Sequence, residues 1–358
     1  MIFAGCGCGE APPELPDIEY KLVITDSIGV ETGDSNYMLG KVLSPVHSPD
    51  GNIVYLDWLK KALFIYTPDG EFIRSVGREG SGPGEFQRPM TISYYSNGNI
   101  LVWDVHSTIL FDSDYNYLNQ TSWSGVGPLL VSAVDSGGFI GLDYSLREGE
   151  NGTLAIQTLG LWDGNIDPSV EYFRTEHDFV FNPETIFDFS TRRNEGLWSC
   201  ATRDGRVFYC WISIDELVIH GSEPDGTPFL LIEDDNVRRV RKTEDEIQTE
   251  RDNFLGGRSI PDDYPITIKP DPYKYTVRGM FLDGEDRLWV RMGCYPGIVF
   301  RVYDMNGEIL FHAMVEYDGD PIDLNTWEIT GDEYGFLGHN TSYEEYQRIY
   351  MLELTKAE

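Results

Sequence analysis

Gly98-Asn99-Ile100-Leu101-Val102-Trp103-Asp104 repeats Gly51-Asn52-Ile53-Val54-Tyr55-Leu56-Asp57 position for position. This recurrence constrains the fold more than any other feature. A short unit of this kind cannot bury its apolar face alone, so its copies must stack on one another. The first copy lies within Pro49 to Pro89 and carries two tight-turn signals, Pro49-Asp50-Gly51 and Pro68-Asp69-Gly70. Each precedes a run rich in Val, Ile, Tyr and Phe, the composition of antiparallel strands. Strands are expected near Met38 to Val46, Asn52 to Leu56, Ala62 to Tyr66 and Glu71 to Val76. Four short strands joined by tight turns make one propeller-type blade.

The second unit follows the same order, with strands at Met90 to Tyr95, Asn99 to Trp103, Thr108 to Phe111 and Asn116 to Ser122. Further anchors are Gly137 to Asp143, Asp204 to Trp211, Asp286 to Val290 and, more weakly, Trp327 to Leu337 followed by Arg348 to Leu354. The two longest steps between anchors fall before the fourth and fifth units, so insertions are expected at about residues 176–195 and 234–272. The second contains the one convincing helix: Thr243 and Glu246 form a capping box and Gly256-Gly257 supplies the stop. Its apolar stripe, mainly Ile247, Phe254 and Leu255, is thin, which places it on the surface. The sixth unit lacks a fourth strand. Asp17 to Asp26, an orphan alternating segment, can supply it and close the ring, removing exposed sheet edges. The expected fold is therefore an all-β, six-bladed β-propeller of four-stranded blades over residues 17–358, preceded by a tether over residues 1–16.

Charge sets limits on partners. The chain has 60 acidic and 27 basic residues, a formal net charge of -33. Such a surface repels phosphate backbones and anionic headgroups, which argues against nucleic acid and against non-specific membrane binding. Diffuse calcium binding is compatible with this charge, but no motif indicates it, and no cofactor is expected. Asp112, Asp114 and Asn116 have calcium-loop spacing, yet Tyr117 stands where that loop requires Gly and Trp123 where it requires Glu. A plain hairpin turn is the better reading. Phe3-Ala4-Gly5-Cys6 resembles the end of a bacterial lipoprotein signal, although a basic n-region and apolar h-region do not precede it. Cys6 is the expected lipidation site, with Gly9 to Pro16 as an extended tether, so membrane association would run only through this anchor.

Other candidate chemistry yields to simpler readings. Gly77 to Phe86 is glycine-rich but lacks Gly-Lys-Ser/Thr and leads to a strand, so it reads as a blade connection. Asp57, Asp104 and Asp143 end the second strand of successive units and could form a carboxylate ring. An Asp leaving a strand more often accepts from backbone amides. The six histidines show no pair at metal-ligand spacing. Cys200 and Cys210 flank a turn, and whether they face each other depends on register; two buried thiols are the favoured reading.

With GNIVYLD, TPDGEFIRSVG and GREGSGPGEF in view, the stretch Gly51 to Phe86 resembles the repeat of NHL-type propellers. It is similar, more closely, to six-bladed β-propeller lipoproteins of Bacteroidota-type bacteria. The resemblance implies a secreted or lipid-anchored protein of the cell envelope and carries over no catalytic residue. Turn chemistry separates two faces: one of short turns, the other of SGPGEF, both insertions and the loops between second and third strands. Elaborated loops on a rigid scaffold usually bind. The expectation is a monomeric, non-catalytic propeller recognising a glycan, peptide or protein through Trp58, Arg78, His106, Arg192, Arg193, Tyr295 and His339. The alternative is a metal-dependent lyase or lactonase at the channel mouth, a reading by fold analogy.

Overall fold

The structure is a computed structural model that describes residues 13–123, 127–149, 152–178, 186–191, 196–256, 267–318, 326–342 and 346–357. Its first strand, β1 (Tyr20–Ile28), stands apart from the meander that follows. Blade 1 is β2 (Val42–His47), β3 (Ile53–Asp57), β4 (Ala62–Tyr66) and β5 (Phe72–Val76). Blade 2 is β6 (Pro89–Tyr94), β7 (Ile100–Asp104), β8 (Ser107–Phe111) and β9 (Tyr117–Ser122). Blade 3 is β10 (Leu129–Ala133), β11 (Phe139–Gly149), β12 (Gly152–Trp162) and β13 (Val170–Asp178). After the short β14 (Ile186–Asp188), blade 4 is β15 (Leu197–Ala201), β16 (Val207–Trp211), β17 (Leu217–Ser222) and β18 (Pro228–Asp234). Helix α1 (Glu244–Gly256) and the short β19 (Thr267–Lys269) then lead to blade 5: β20 (Val277–Leu282), β21 (Leu288–Met292), β22 (Val299–Tyr303) and β23 (Ile309–Glu316). Blade 6 is β24 (Trp327–Asp332), β25 (Gly335–Asn340) and β26 (Ile349–Lys356), completed by β1.

The strand sequences explain this arrangement. β3 (IVYLD), β4 (ALFIY) and β7 (ILVWD) are apolar without alternation and buried at every position, because a blade is covered on both faces by its neighbours. The outer strand β5 (FIRSV) faces water and is largely exposed. Six apolar clusters fill six seams. Val54, Leu56 and Ile65 meet Ile92 and Val102 between blades 1 and 2. Leu101 and Trp103 meet Phe139 and Trp162 at the next seam, and Ile140 and Leu159 meet Val207 and Tyr209 at the third. Phe208 and Ile219 then meet Val277 and Val290; Trp289 and Phe300 meet Trp327 and Phe336. Leu337 and Ile349 finally pack on Ile53 and Tyr55, which returns the ring to blade 1. Each large apolar side chain so buried contributes about 1.5–3 kcal/mol.

The orphan strand does what the ring requires. β1 pairs antiparallel with β26, from Tyr20 opposite Lys356 to Ile28 opposite Ile349. It also pairs parallel with β23, from Tyr20 opposite Ala313 to Val23 opposite Glu316. Blades 5 and 6 thereby share one eight-stranded sheet, a weld that the repeat pattern does not foretell.

Two details differ from the pattern. Asp143 does not end its strand, because β11 continues to Gly149 and builds an extended hairpin with β12. This hairpin accounts for part of the long step before the fourth unit. The two insertions also touch: β14 pairs parallel with β19, with Lys269 Nζ 3.7 Å from Asp188 Oδ2. The capping box of α1 forms as its sequence dictates, with the Thr243 N–H donating to Glu246 Oε2 (2.8 Å) and the Glu246 N–H donating to Thr243 Oγ1 (3.2 Å).

Candidate functional site

The innermost strands run from the loop face to the turn face and line a central channel. At the turn end, β2, β6, β10, β15, β20 and β24 all contribute to one cavity of about 490 Å³. At the loop end lies a second cavity, of about 510 Å³, where the starts of β2, β20 and β24 meet the β21–β22 loop, the end of β25 and one side of α1. The helix reaches this place because it belongs to the insertion between blades 4 and 5. It presents Glu246, Thr249 and Glu250 to the cavity at helical spacing.

Five cationic side chains line the loop-end cavity: Lys41, Lys242, Lys274, Arg278 and Arg291. The lining acids are Glu246, Glu250 and Glu328. Lys242 is buried with its Nζ 2.7 Å from Glu250 and 5.1 Å from the centre of the Tyr275 ring. Burial pushes its ammonium down, while Glu250 works in the opposite sense. Lys274 pairs with Glu246 at 2.6 Å, and Arg278 stands 4.0 Å from Glu250. Arg291 is only 6% exposed and donates to the carbonyl of Trp327. Burial and the neighbouring Arg278 push its guanidinium down to about 9, which leaves it charged at neutral pH. His339 is also buried, 3.6 Å from Glu328, and burial pushes its ring below the usual histidine value, so it is neutral at pH 7.

Of the residues expected from sequence, the structure brings Tyr295 and His339 into this cavity. Trp58 lies beside it, its N–H donating to the Lys41 carbonyl (2.9 Å) while Lys61 Nζ sits 3.8 Å over its ring. Arg78 is elsewhere, paired with Glu85 at 2.6 Å in the blade 1 to blade 2 connection. His106 is exposed on the β7–β8 turn, at a separate recess with Glu79 and Arg88. Arg192, Arg193 and Cys6 fall outside the described residues. The lining cations were not singled out by sequence. One signal was readable: Arg291 interrupts the otherwise apolar strand LWVRM, where every position is buried.

The simpler readings hold elsewhere. Asp57 accepts from the N–H groups of Gly40 (2.8 Å), Lys41, Leu59 and Lys60 (3.0 Å each for the last two). Asp104 accepts from Gln87 (2.6 Å) and Arg88 in the equivalent place. Asp112 Oδ1 accepts from the amides of Asp114 (2.9 Å) and Asn116 (2.8 Å), an ordinary turn. Phe86 anchors the glycine-rich loop in the core, where Gly77, at φ +90°, leaves no room for a Cβ against its ring. Cys200 and Cys210 are buried thiols; Cys200 lies opposite Phe208, and Cys210 opposite Trp198. Among the described residues, no group of three or more His, Cys, Asp or Glu side chains is placed to hold a metal ion.

The profile of a family described as 6-bladed beta-propeller matches residues 22–152. The chain is a six-bladed β-propeller. No curated protein matches the sequence. Among solved structures, this propeller is similar to a member of the DUF4221 family from Bacteroides vulgatus, with 10% identity and a TM-score of 0.47 over 96% of this chain and 100% of that one. It is also similar to a candidate exported protein from Bacteroides fragilis (11% identity, TM-score 0.47, 96% and 98% covered). A third is catalytically inactive virginiamycin B lyase from Staphylococcus aureus with quinupristin (11% identity, TM-score 0.42, 94% and 99% covered).

Proposed function

We propose that this propeller is a non-catalytic binding protein of the bacterial cell envelope, lipid-anchored or periplasmic and monomeric. It takes a glycan, peptide or protein ligand at the loop-face mouth of its channel. The observation that carries this reading is the cavity of about 510 Å³ in which α1, an elaboration of the blade repeat, meets blades 1, 5 and 6 around Tyr295 and His339. Concave sites with an aromatic wall and a few convergent polar groups are where ligands are held, and rigid strands supply the positioning. The lipoprotein-like Cys6 segment supports an envelope location. A lyase or lactonase that depends on a metal is the weaker reading, since it rests on fold analogy alone.

Glycan and peptide arrays probed with the wild type and with Tyr295→Ala test this. Binding of at least one ligand class should weaken tenfold or more in Tyr295→Ala, compared with the wild type at a temperature where both remain folded, because Tyr295 also packs on the blade 4 and blade 5 seam. Array signals indifferent both to this change and to His339→Ala would remove the cavity from consideration.

A further inference from the structure

The repeat leaves one carboxylate without the partners its counterparts have. Asp57 and Asp104 each accept from the two amides that lie one and two residues before the strand residue opposite, Val42 or Pro89. Asp143 holds the same place in the third unit. Extending the β10–β11 register by one residue, from Leu129 opposite Leu142, sets Asp143 opposite Pro128. The amide one residue earlier, that of Gly127, donates instead to the Val105 carbonyl (2.9 Å). No turn follows Asp143 either, since Ser145 and Leu146 continue the ladder to Ile156 and Ala155. Burial raises its carboxyl above the ordinary aspartate value, and the Ser145 hydroxyl, Arg147 and the Tyr144 amide offset this only in part.

Asp143 lines a groove of about 540 Å³ between the end of β9 and the long hairpin of blade 3. The hairpin builds this groove: β11 and β12 each run 11 residues, where the corresponding strands of blades 1 and 2 run 5. Thr158 stands directly opposite Asp143 and is buried, so a hydroxyl shares the carboxylate's face of the hairpin. Trp123 supplies an aromatic wall, and Leu146 and Ile166 leave apolar surface exposed at the rim. Arg174 also lines the groove but is held by Glu176 (2.7 Å) and Glu171 (3.7 Å). From Ile156 to Trp162 the lining strand spans about 20 Å, the length of about six extended residues. Part of the desolvation that a buried ion pair costs is thus already borne by the free protein, and a cation arriving at Asp143 gains a charge-assisted hydrogen bond beside an aromatic ring. A chain of formal net charge -33 also draws basic partners toward it. We propose that this groove, separate from the channel mouth, binds an extended basic segment of a partner protein, with a lysine or arginine side chain on Asp143 and apolar neighbours on Leu146, Ile156 and Ile166.

The test uses the full chain labelled with 5-fluorotryptophan, the Trp123 resonance being assigned by Trp123→Phe. The probes are hexapeptides alternating leucine with lysine or arginine, each beside an uncharged counterpart carrying acetyl-lysine or citrulline, and chitotetraose as a neutral sugar. At least one basic hexapeptide should shift the Trp123 resonance saturably, and removal of its charge should weaken binding tenfold or more. Asp143→Asn should weaken it about fivefold or more, yet melt no lower than the wild type at pH 7. A carboxyl whose pKa is raised by folding destabilises the folded state when ionised, so its neutral replacement relieves that cost. A melting temperature lowered in Asp143→Asn, with the basic peptides bound as before, would make Asp143 structural and overturn the site. Charged and uncharged hexapeptides binding equally well would overturn the assignment of a cation. Basic hexapeptides that leave Trp123 unmoved would overturn the groove as their site, and a response to chitotetraose alone would make it a glycan site instead.

Discussion

Single carboxylates hold the turns and seams of this ring, and their placement separates structural acids from those of the cavity. Asp57 and Asp104 each reach back to the loop that precedes the innermost strand of their own blade, accepting from Gly40 and Lys41 or from Gln87 and Arg88. Asp332 works across a seam. His47 Nδ1 lies 2.9 and 3.0 Å from its two oxygens, and the backbone N–H groups of His47 (3.2 Å) and Tyr334 (2.8 Å) donate to it. Burial alone would raise the Asp332 pKa, but the hydrogen bonds and charge of His47 outweigh burial and hold the carboxyl below the ordinary aspartate value. A carboxyl held low in the folded state stabilises that state above the unfolded pKa of about 4, and the contribution disappears as pH falls through the lowered folded value. Asp332→Asn should therefore be about 2 kcal/mol less stable at pH 7, the worth of charge-assisted hydrogen bonds. The gap in urea midpoints should narrow as pH drops from about 4 toward 3. Wild type and variant separated by the same amount at pH 7 and pH 3 would show that the pair contributes no charge-dependent stability.

At the scale of elements, β1 shows both what the sequence reveals and where it stops. Its alternation marks it as an orphan strand, the missing fourth strand of the sixth unit makes it the closing one, and it pairs with β26 as that reasoning requires. The parallel pairing with β23 was invisible, because register between strands of different blades depends on seam geometry that no local pattern records. The same limit explains the cavity. Blades were legible from turn chemistry and apolar runs, whereas Lys41, Arg278 and Arg291 lie far apart in the chain and meet only once the ring closes. Arg78, paired with Glu85, and His106, at a separate recess, do not line this cavity. β1 also permits a test of what closes the ring. Leu22 is fully buried among Trp289, Phe311 and Trp327, while neighbouring Lys21 makes a partly exposed ion pair with Glu316 at 2.7 Å. Leu22→Ala should cost about 2–5 kcal/mol by chemical denaturation. Lys21→Ala should cost no more than about 1 kcal/mol. Equal losses in the two variants would mean that the edge pairing, not apolar burial, fastens the strand.

The whole molecule carries a formal charge of -33, so 33 acidic residues would be left over even if each of the 27 basic residues were paired with one of the 60 acids. Two electrostatic effects then compete when salt is added. Screening weakens the attraction within surface pairs such as Arg78–Glu85, where the arginine is 81% exposed, and it weakens the repulsion among the many unpaired acids. The pairs at the cavity are partly shielded from salt because Lys242 and Lys274 are largely buried. Repulsion acts over the full surface and reaches about 30 Å at 0.01 M salt but only about 8 Å at 0.15 M. Repulsion should therefore win, since exposed pairs are worth little and net charge of one sign opposes compaction. Raising sodium chloride from about 0.01 to 0.15 M at pH 7 should raise the melting temperature by roughly 1–3 °C, as far as about 1–2 kcal/mol carries a domain of this size. Differential scanning calorimetry reads the shift directly. A melting temperature that falls over the same range would assign the greater weight to exposed ion pairs and would remove global repulsion as the force that the six apolar seams must overcome.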